Sequence, residues 1–242
     1  MDPEYGKGYR ELYERHWWWR SREVAVLSVL HRHRGSASPA RILDIGCGDG
    51  LFFRALEEFG EVEGLESSAA LISPHGPYRA RIHVAPFDAR FRSSKEYDLI
   101  LMLDVLEHLD NPAEALRLAA SLLPPGGSLL LTVPAFRLLW TNHDLINHHR
   151  TRYRRGTLRP LLKEAGFLVV DQRYWYQWTC PVKLAQRFVE GFFRLPPALP
   201  TVPPHWLNTL LYRFSRFEQE TLGAWGIPFG SSLMMYCRKA NR

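Results

Sequence analysis

The chain has 242 residues, a formal net charge of +6, 46% hydrophobic and 23% charged residues, which suits one large α/β core with an insertion. Its cysteines, Cys47, Cys180 and Cys237, lie too far apart for a disulfide framework or a metal knuckle, and no apolar run approaches bilayer-spanning length. Met1-Asp-Pro-Glu-Tyr5 has neither the charged start nor the apolar stretch of a secretory leader, so a reducing, cytoplasmic setting is expected.

In chain order, residues 8–33 carry Leu12, His16, Trp19, Glu23, Val26 and Leu30 at helical spacing. Gly35-Ser-Ala-Ser-Pro39 breaks that helix. Arg41–Ile45 reads as a buried strand that runs into Gly46-Cys-Gly-Asp-Gly50, and Leu51–Phe59 returns to helical spacing. Further strands are expected at Glu61–Leu65, Arg81–Val84 and Tyr97–Leu103, the last a continuous apolar run typical of a central parallel strand. Asn111 is placed to cap a helix that begins at Pro112 and stops at Pro124-Pro-Gly-Gly127. Ser128–Val133 is a fifth strand, Thr157–Ala165 a helix closed by Gly166, and Phe167–Val170 a sixth strand. Helices at Pro181–Phe193 and His205–Leu222, joined by the proline-rich 194–204, precede a last strand at Ser231–Cys237.

The expected fold is therefore α/β: a Rossmann-like, seven-stranded, mostly parallel sheet with helices on both faces, an N-terminal helix and a helical insertion before the last strand. The expected units are an N-terminal helical cap (1–39), a core (40–175 and 231–242) and the insertion (176–230), a candidate acceptor lid. Ligands of such sheets bind beyond the carboxyl ends of the strands.

The strongest chemical signal is Asp44-Ile-Gly-Cys-Gly-Asp-Gly50, followed by Glu66 at the end of the next strand. Glycine lets a backbone turn sharply and approach a ligand closely, and a carboxylate at that second position accepts two hydrogen bonds from a ribose diol. No Gly-Lys-Ser/Thr is present, and the glycine spacing departs from the dinucleotide fingerprint. A ligand with ribose and no phosphate fits better than a nucleotide.

Over residues 40–175 this combination resembles the class I S-adenosylmethionine-dependent methyltransferases, of a bacterial small-molecule type. The resemblance implies S-adenosylmethionine as cofactor and S-adenosylhomocysteine as product. It places Gly46, Cys47, Gly48 and Gly50 under the methionine part, Asp44 at its amino group, and Glu66 on the ribose. Phe87 and Asp88 fall on the adenine, and Leu103, Asp104 and His108 line the donor and acceptor pockets. Leu123–Leu130 matches the turn before the fifth strand. His16-Trp-Trp-Trp-Arg20 and His149-Arg-Thr-Arg-Tyr153 resemble features of a bacterial subgroup.

For catalysis the candidates are His149, His143 and His108, because histidine beside carboxylate suits proton removal near neutral pH. Asp104 and Glu107 share His108's ambiguity between chemistry and helix capping. Trp19, Arg20, Trp140, Arg152 and Tyr153 are candidate acceptor contacts, Arg152 as a clamp on an acidic group; the alternative for Arg152 and Tyr153 is a structural anchor. Cys47 has no basic partner nearby in sequence and is read as a small turn residue. No His-Glu-x-x-His or other tight ligand set appears, so no metal is expected.

The expected reaction is in-line methyl transfer to a small-molecule acceptor, at oxygen, with a histidine base. Two alternatives stand beside it: methylation of nucleic acid or a lipid-like acceptor, and a methyltransferase-like module that binds without turnover. Arginine clusters at Arg10, Arg15, Arg20, Arg22, Arg32 and Arg34 and at Arg150, Arg152, Arg154, Arg155 and Arg159 suit either an anionic partner or a solvated basic face. Leu103-Asp-Val-Leu stands where base-directed enzymes often carry Asn/Asp-Pro-Pro-Tyr, which disfavours nucleic acid. Tryptophans and prolines near a basic surface admit contact with a membrane surface.

Overall fold

The computed structural model describes residues 3–34 and 40–241, so the breaker at 35–39 lies outside the described residues. Two helices come first, α1 (Pro3–Arg15) and α2 (Trp17–Arg34), where periodicity predicts one. The break falls at His16, whose Nδ1 accepts the Trp18 N–H at 3.1 Å and so replaces a backbone partner at the start of α2.

Alternation follows: β1 (Ala40–Ile45), α3 (Phe53–Leu56), β2 (Gly60–Glu66), β3 (Ile82–Val84), β4 (Leu99–Leu103), α4 (Pro112–Ser121), β5 (Ser128–Pro134), α5 (Asn142–Ile146), α6 (Arg155–Glu164) and β6 (Phe167–Trp175). Then α7 (Thr179–Phe193) and α8 (His205–Glu220) lead to β7 (Ser232–Lys239). Asn111 caps α4 by accepting the Glu114 N–H, as expected. The helix predicted over 51–59 shrinks to the four residues of α3, because 47–52 are spent in the turn.

The seven strands form one sheet in the order β3-β2-β1-β4-β5-β7-β6. β7 runs antiparallel to both neighbours, so β1–β6 all point the same way and present their carboxyl ends along one edge. Successive residues of β4 serve opposite faces. Leu99 and Leu101 pack with Val26, Val29 and Leu30 of α2, whereas Ile100 and Met102 pack with Leu116 of α4 and Leu158 and Leu162 of α6. Burial on both faces explains why this strand reads as an unbroken apolar run.

The β1–β2 edge begins at the pair Ala40 and Gly60. Gly60 has φ +151°, and a Cβ there would lie 1.9 Å from the Ala40 carbonyl oxygen. Gly60→Ala must push this edge apart and should cost about 3 kcal/mol or more. A urea midpoint equal to wild type would show that the strand ends separate freely.

Candidate active site

Strained backbone gathers along the carboxyl edge of the sheet. Asp104, Phe136, His148 and Tyr176 all have φ between +54° and +60° and follow β4, β5 or β6. Such conformations cost energy outside glycine and persist where surrounding structure enforces them.

The turn after β1 is shaped for a close approach. Gly46, Gly48 and Gly50 all lie at positive φ. A Cβ on Gly46 would meet Val105 at 2.6 Å, while one on Gly48 would meet nothing within 4 Å, so Gly48 faces open space. Glu66 holds the turn to β2: its carboxylate accepts the Gly48 N–H at 3.0 Å and the Ser68 N–H at 2.9 Å. Asp44, at the end of β1, is buried and has no hydrogen-bond partner among the described residues. Burial pushes its carboxyl up to about 7; Arg22 opposes this and Glu66 adds to it. Burial also raises the Cys47 thiol, which leaves it protonated and without nucleophilic character.

α1 and α2 roof this turn. Arg10 of α1 pairs with Asp49 and Tyr13 donates to Glu23, and α1 also packs on the turn Ala69–Leu71 just after Glu66. Arg22 of α2 reaches down to Asp104 at 2.5 Å and to Thr132 Oγ1 at 3.2 Å. Its buried Nε has no partner. With α1 in this position the cavity between Asp44, Arg22 and Tyr9 holds only about 40 Å³, room for a few waters.

A second cavity of about 640 Å³ continues from Gly46 and Asp104 into the molecule. Its walls carry His108, His143, His149, Arg152, Lys183 and the aromatic group Trp17–Trp19 with Trp178. Asp144 of α5 organises this cluster. Its Oδ1 lies 2.8 Å from His149 Nδ1, and Arg152 donates to both carboxylate oxygens through Nε and Nη2. Burial would raise the Asp144 carboxyl, but the bonds from His149 and Arg152 outweigh it and hold the group well below the usual carboxylate range. An ionised Asp144 accepts, so the His149 proton sits on Nδ1 and the Nε2 lone pair is free to accept. That Nε2 lies 3.9 Å from Glu107.

Glu107 is fully buried with neither carboxylate oxygen hydrogen-bonded. Burial and the nearby Asp104 push its carboxyl well up, which favours the neutral acid. Burial holds His108 down to about 4 and His143 down to about 3, so both are neutral imidazoles near pH 7. Lys183 of α7 is lowered to about 8 by burial and by Arg152. One ligand atom each from Glu107, His108 and His149 fall within 4.8 Å of one another, a grouping invisible in sequence spacing.

Several expected contacts lie elsewhere. Arg20 is exposed, with its guanidinium over the Tyr212 ring, so it is not an acceptor contact. Trp140 is absent from the cavity walls, and Tyr153 is buried with its hydroxyl on the Leu106 carbonyl, an anchor for the segment after β5. Arg152 lines the cavity, but Nε and Nη2 bind Asp144 and Nη1 binds the Ala135 carbonyl, so it braces the site and does not clamp an acid. Phe87 packs into the core, and the half-exposed Asp88 is forked by Arg90. Both follow β3, beside Glu66, since Ala85 N–H bonds the Glu66 carbonyl. Arg22, Lys183 and Trp178 escape sequence reading: Arg22 counts there as one arginine of a basic cluster, and the other two sit in the insertion with no local motif.

The family described as methyltransferase domain matches residues 18–172. A ubiquinone biosynthesis O-methyltransferase of Xanthomonas euvesicatoria pv. vesicatoria (strain 85-10) is 28% identical over 158 residues, 54% of this chain and 64% of that protein. Another with that name, from Bordetella avium (strain 197N), is 29% identical over 130 residues, 46% and 53% of the two chains. The match thus spans just over half to just under two thirds of these relatives. Among solved structures, the complex between the Haloferax volcanii Trm112 methyltransferase activator and a methyltransferase gives a TM-score of 0.63 at 18% identity, covering 99% of this chain and 96% of that one. The N-methyltransferase NodS from Bradyrhizobium japonicum WM9, in complex with S-adenosyl-L-homocysteine, gives 0.55 at 15% identity, covering 92% and 88%. These structures share the fold. The chain belongs to the methyltransferase-domain family and has the fold of the class I S-adenosylmethionine-dependent methyltransferases. The residues present fit that donor: an unpartnered buried carboxylate at Asp44 suits its ammonium, the orphaned Nε of Arg22 suits its carboxylate, and Gly48 leaves room for it.

The Asp144–Arg152 pair is almost wholly buried. Asp144→Ala leaves a buried guanidinium without its counter-charge and should cost about 3–5 kcal/mol. Asp144→Ala/Arg152→Ala should cost clearly less than the sum of the two single losses. Additive losses in urea unfolding would show that the two groups act separately.

Proposed function

We propose that the chain methylates a hydroxyl of a small-molecule acceptor, with His149 as the general base. The observation that carries this reading is the Asp144–His149 pair on the wall of the cavity that extends from Gly46. S-adenosylmethionine supplies an activated methyl group on a sulfonium. The protein's tasks are then to align two reactants, exclude water and take one proton.

Asp44 holds the donor's ammonium, Arg22 its carboxylate, and Glu66 the ribose diol through lone pairs left beside its bonds to Gly48 and Ser68. Gly46, Cys47, Gly48, Gly50, Leu103 and Asp104 shape the floor. Phe87 and Asp88, beside the end of β2, form the adenine end. Tyr9 and Tyr13 narrow the cleft at Asp44, so α1 withdraws to admit the donor and returns to cover it.

The acceptor lies in the larger cavity. Its hydroxyl proton passes to His149 Nε2, and Asp144 fixes the ring and stabilises the imidazolium that forms. His143 and His108 line the same cavity as neutral groups that bond the acceptor. Lys183 faces an acidic or phenolic part of it, and Val182, Val189, Leu195 and Trp178 face an apolar part. In this reading residues 1–39 cap the donor and residues 176–230 cover the acceptor. The names of the O-methyltransferase relatives support oxygen as the methylated atom.

His149→Ala should lower kcat by about 10²–10⁴ while calorimetric affinity for S-adenosylhomocysteine stays near wild type. Equal turnover of the accepted substrate by the two proteins removes His149 from the mechanism.

Asp44 gives a pH signature. Its carboxyl sits near 7 in the unliganded protein, and only the ionised form attracts an ammonium. Donor affinity should therefore be full above pH 7 and weaken by about tenfold for each unit below pH 6. In Asp44→Asn the affinity should be lower and flat over this range. A wild-type profile that is also flat would move the ammonium site away from Asp44.

A further inference from the structure

The insertion presents a surface that an aqueous protein does not ordinarily leave bare. From Pro181 onward the residues of α7 are exposed, except Lys183 and Glu190, which turn towards the cavity. On its outer side Leu184, Phe188 and Phe192 stand four residues apart and so form one stripe. Phe188 is 71% and Phe192 70% exposed, and their rings stack at 6.0 Å. α8 repeats the pattern. Asn208, Ser215 and Glu218 are buried, while Trp206, Leu210, Phe214 and Phe217 form an exposed stripe, with Trp206 at 69%. Just before α7, the half-buried Trp178 ring packs edge-on against Phe214 of the α8 stripe. Leu195 and Leu199 extend the apolar surface along the connector. Scattered exposed apolar residues are ordinary, but contiguous stripes mark a surface that something covers.

Charge says what covers it. Over Thr179–Glu220 the basic residues are Lys183, Arg187, Arg194, Arg213 and Arg216, against Glu190, the buried Glu218 and Glu220, which pairs with Arg216. Arg194 and Arg213 are exposed and make no ion pair among the described residues. Aromatic and aliphatic stripes flanked by arginine suit the boundary between acyl chains and anionic headgroups, where the stems of the basic side chains lie along apolar surface and their heads reach phosphate. Among the described residues no helix is long and apolar enough to cross a membrane, so these helices would lie in the plane of the surface. The same elements wall the cavity: Val182, Val189, Leu195 and Pro196 line it, while their neighbours Phe188 and Phe192 face outward.

We propose that the α7–connector–α8 surface docks on an anionic lipid bilayer, which brings the mouth of the acceptor cavity to the headgroup layer. The docking needs neither donor nor acceptor, so it stands apart from the methyl-transfer reading. The test is co-sedimentation of the full chain with vesicles of phosphatidylcholine alone and of phosphatidylcholine with one quarter phosphatidylglycerol. The chain should pellet with the anionic vesicles, bind the neutral ones at least about tenfold more weakly, and be released by about 0.5 M salt. Phe188→Glu/Phe192→Glu should lower binding to the anionic vesicles by at least about tenfold. These side chains are exposed, so its unfolding midpoint and its calorimetric affinity for S-adenosylhomocysteine should match wild type. Failure of wild-type protein to bind either vesicle overturns the proposal, as does undiminished binding by the double variant. So does sedimentation velocity showing a dimer, without lipid, that the double variant dissociates and that vesicles do not displace, since the surface would then belong to a second copy. Loss of donor affinity in wild type would count against the methyltransferase site and leave the lipid result to stand by itself.

Discussion

His149, Arg152 and the backbone of Thr141 all converge on the carboxylate of Asp144. One buried negative charge thereby ties three parts of the segment after β5 together. Without a counter-charge a carboxylate at this depth would be neutral; with Arg152 on both oxygens it stays ionised. Because it is ionised it can only accept, so His149 Nδ1 is the donor and Nε2 lies on the side of Glu107. Arg152 also binds the Ala135 carbonyl just past the end of β5, so the charge pair fastens this segment to the sheet. The orientation of His149 and the fastening of the segment after β5 to the sheet both follow from this group.

The donor side works differently. Its polar groups are left incompletely satisfied by the protein: Asp44 has no hydrogen-bond partner among the described residues and Arg22 Nε none. Buried unsatisfied groups are costly, and a zwitterionic ligand end that supplies an ammonium and a carboxylate removes both costs at once. α1 covers the cleft, held by Arg10 on Asp49, by the Tyr13–Glu23 contact and by the packing of buried Leu12 with Trp19.

α7 joins the two sides of the molecule's chemistry. Its inner side supplies Lys183, Val182 and Val189 to the cavity, and its outer side carries the phenylalanine stripe. A single helix thus separates the cavity from the surface outside.

Much of the fold was legible in local pattern. The alternation of short apolar strands with helices, the glycine turn after β1, the Asn111 cap and Glu66 at the end of β2 are local signals, and each appears where spacing puts it. The helix break at His16 was not legible, since periodicity continues through it and the break comes from one imidazole bonding Trp18 N–H. Nor were the roles of Arg152 and Arg20: a guanidinium reads the same in sequence whether it forks a buried carboxylate or lies over a tyrosine on the surface. That Arg90 forks the Asp88 carboxylate is likewise not legible in sequence.

By itself the sequence determined the sheet, the glycine-lined donor turn and hence the class of chemistry, because each depends on residues within a strand or two of one another. Only the tertiary structure decided which histidine is oriented, that Arg22 and Lys183 from opposite ends of the chain meet the same cavity wall, and that α7 turns its phenylalanines to solvent. Those depend on burial and on which side chains the fold brings together, and local residue spacing carries no information about either.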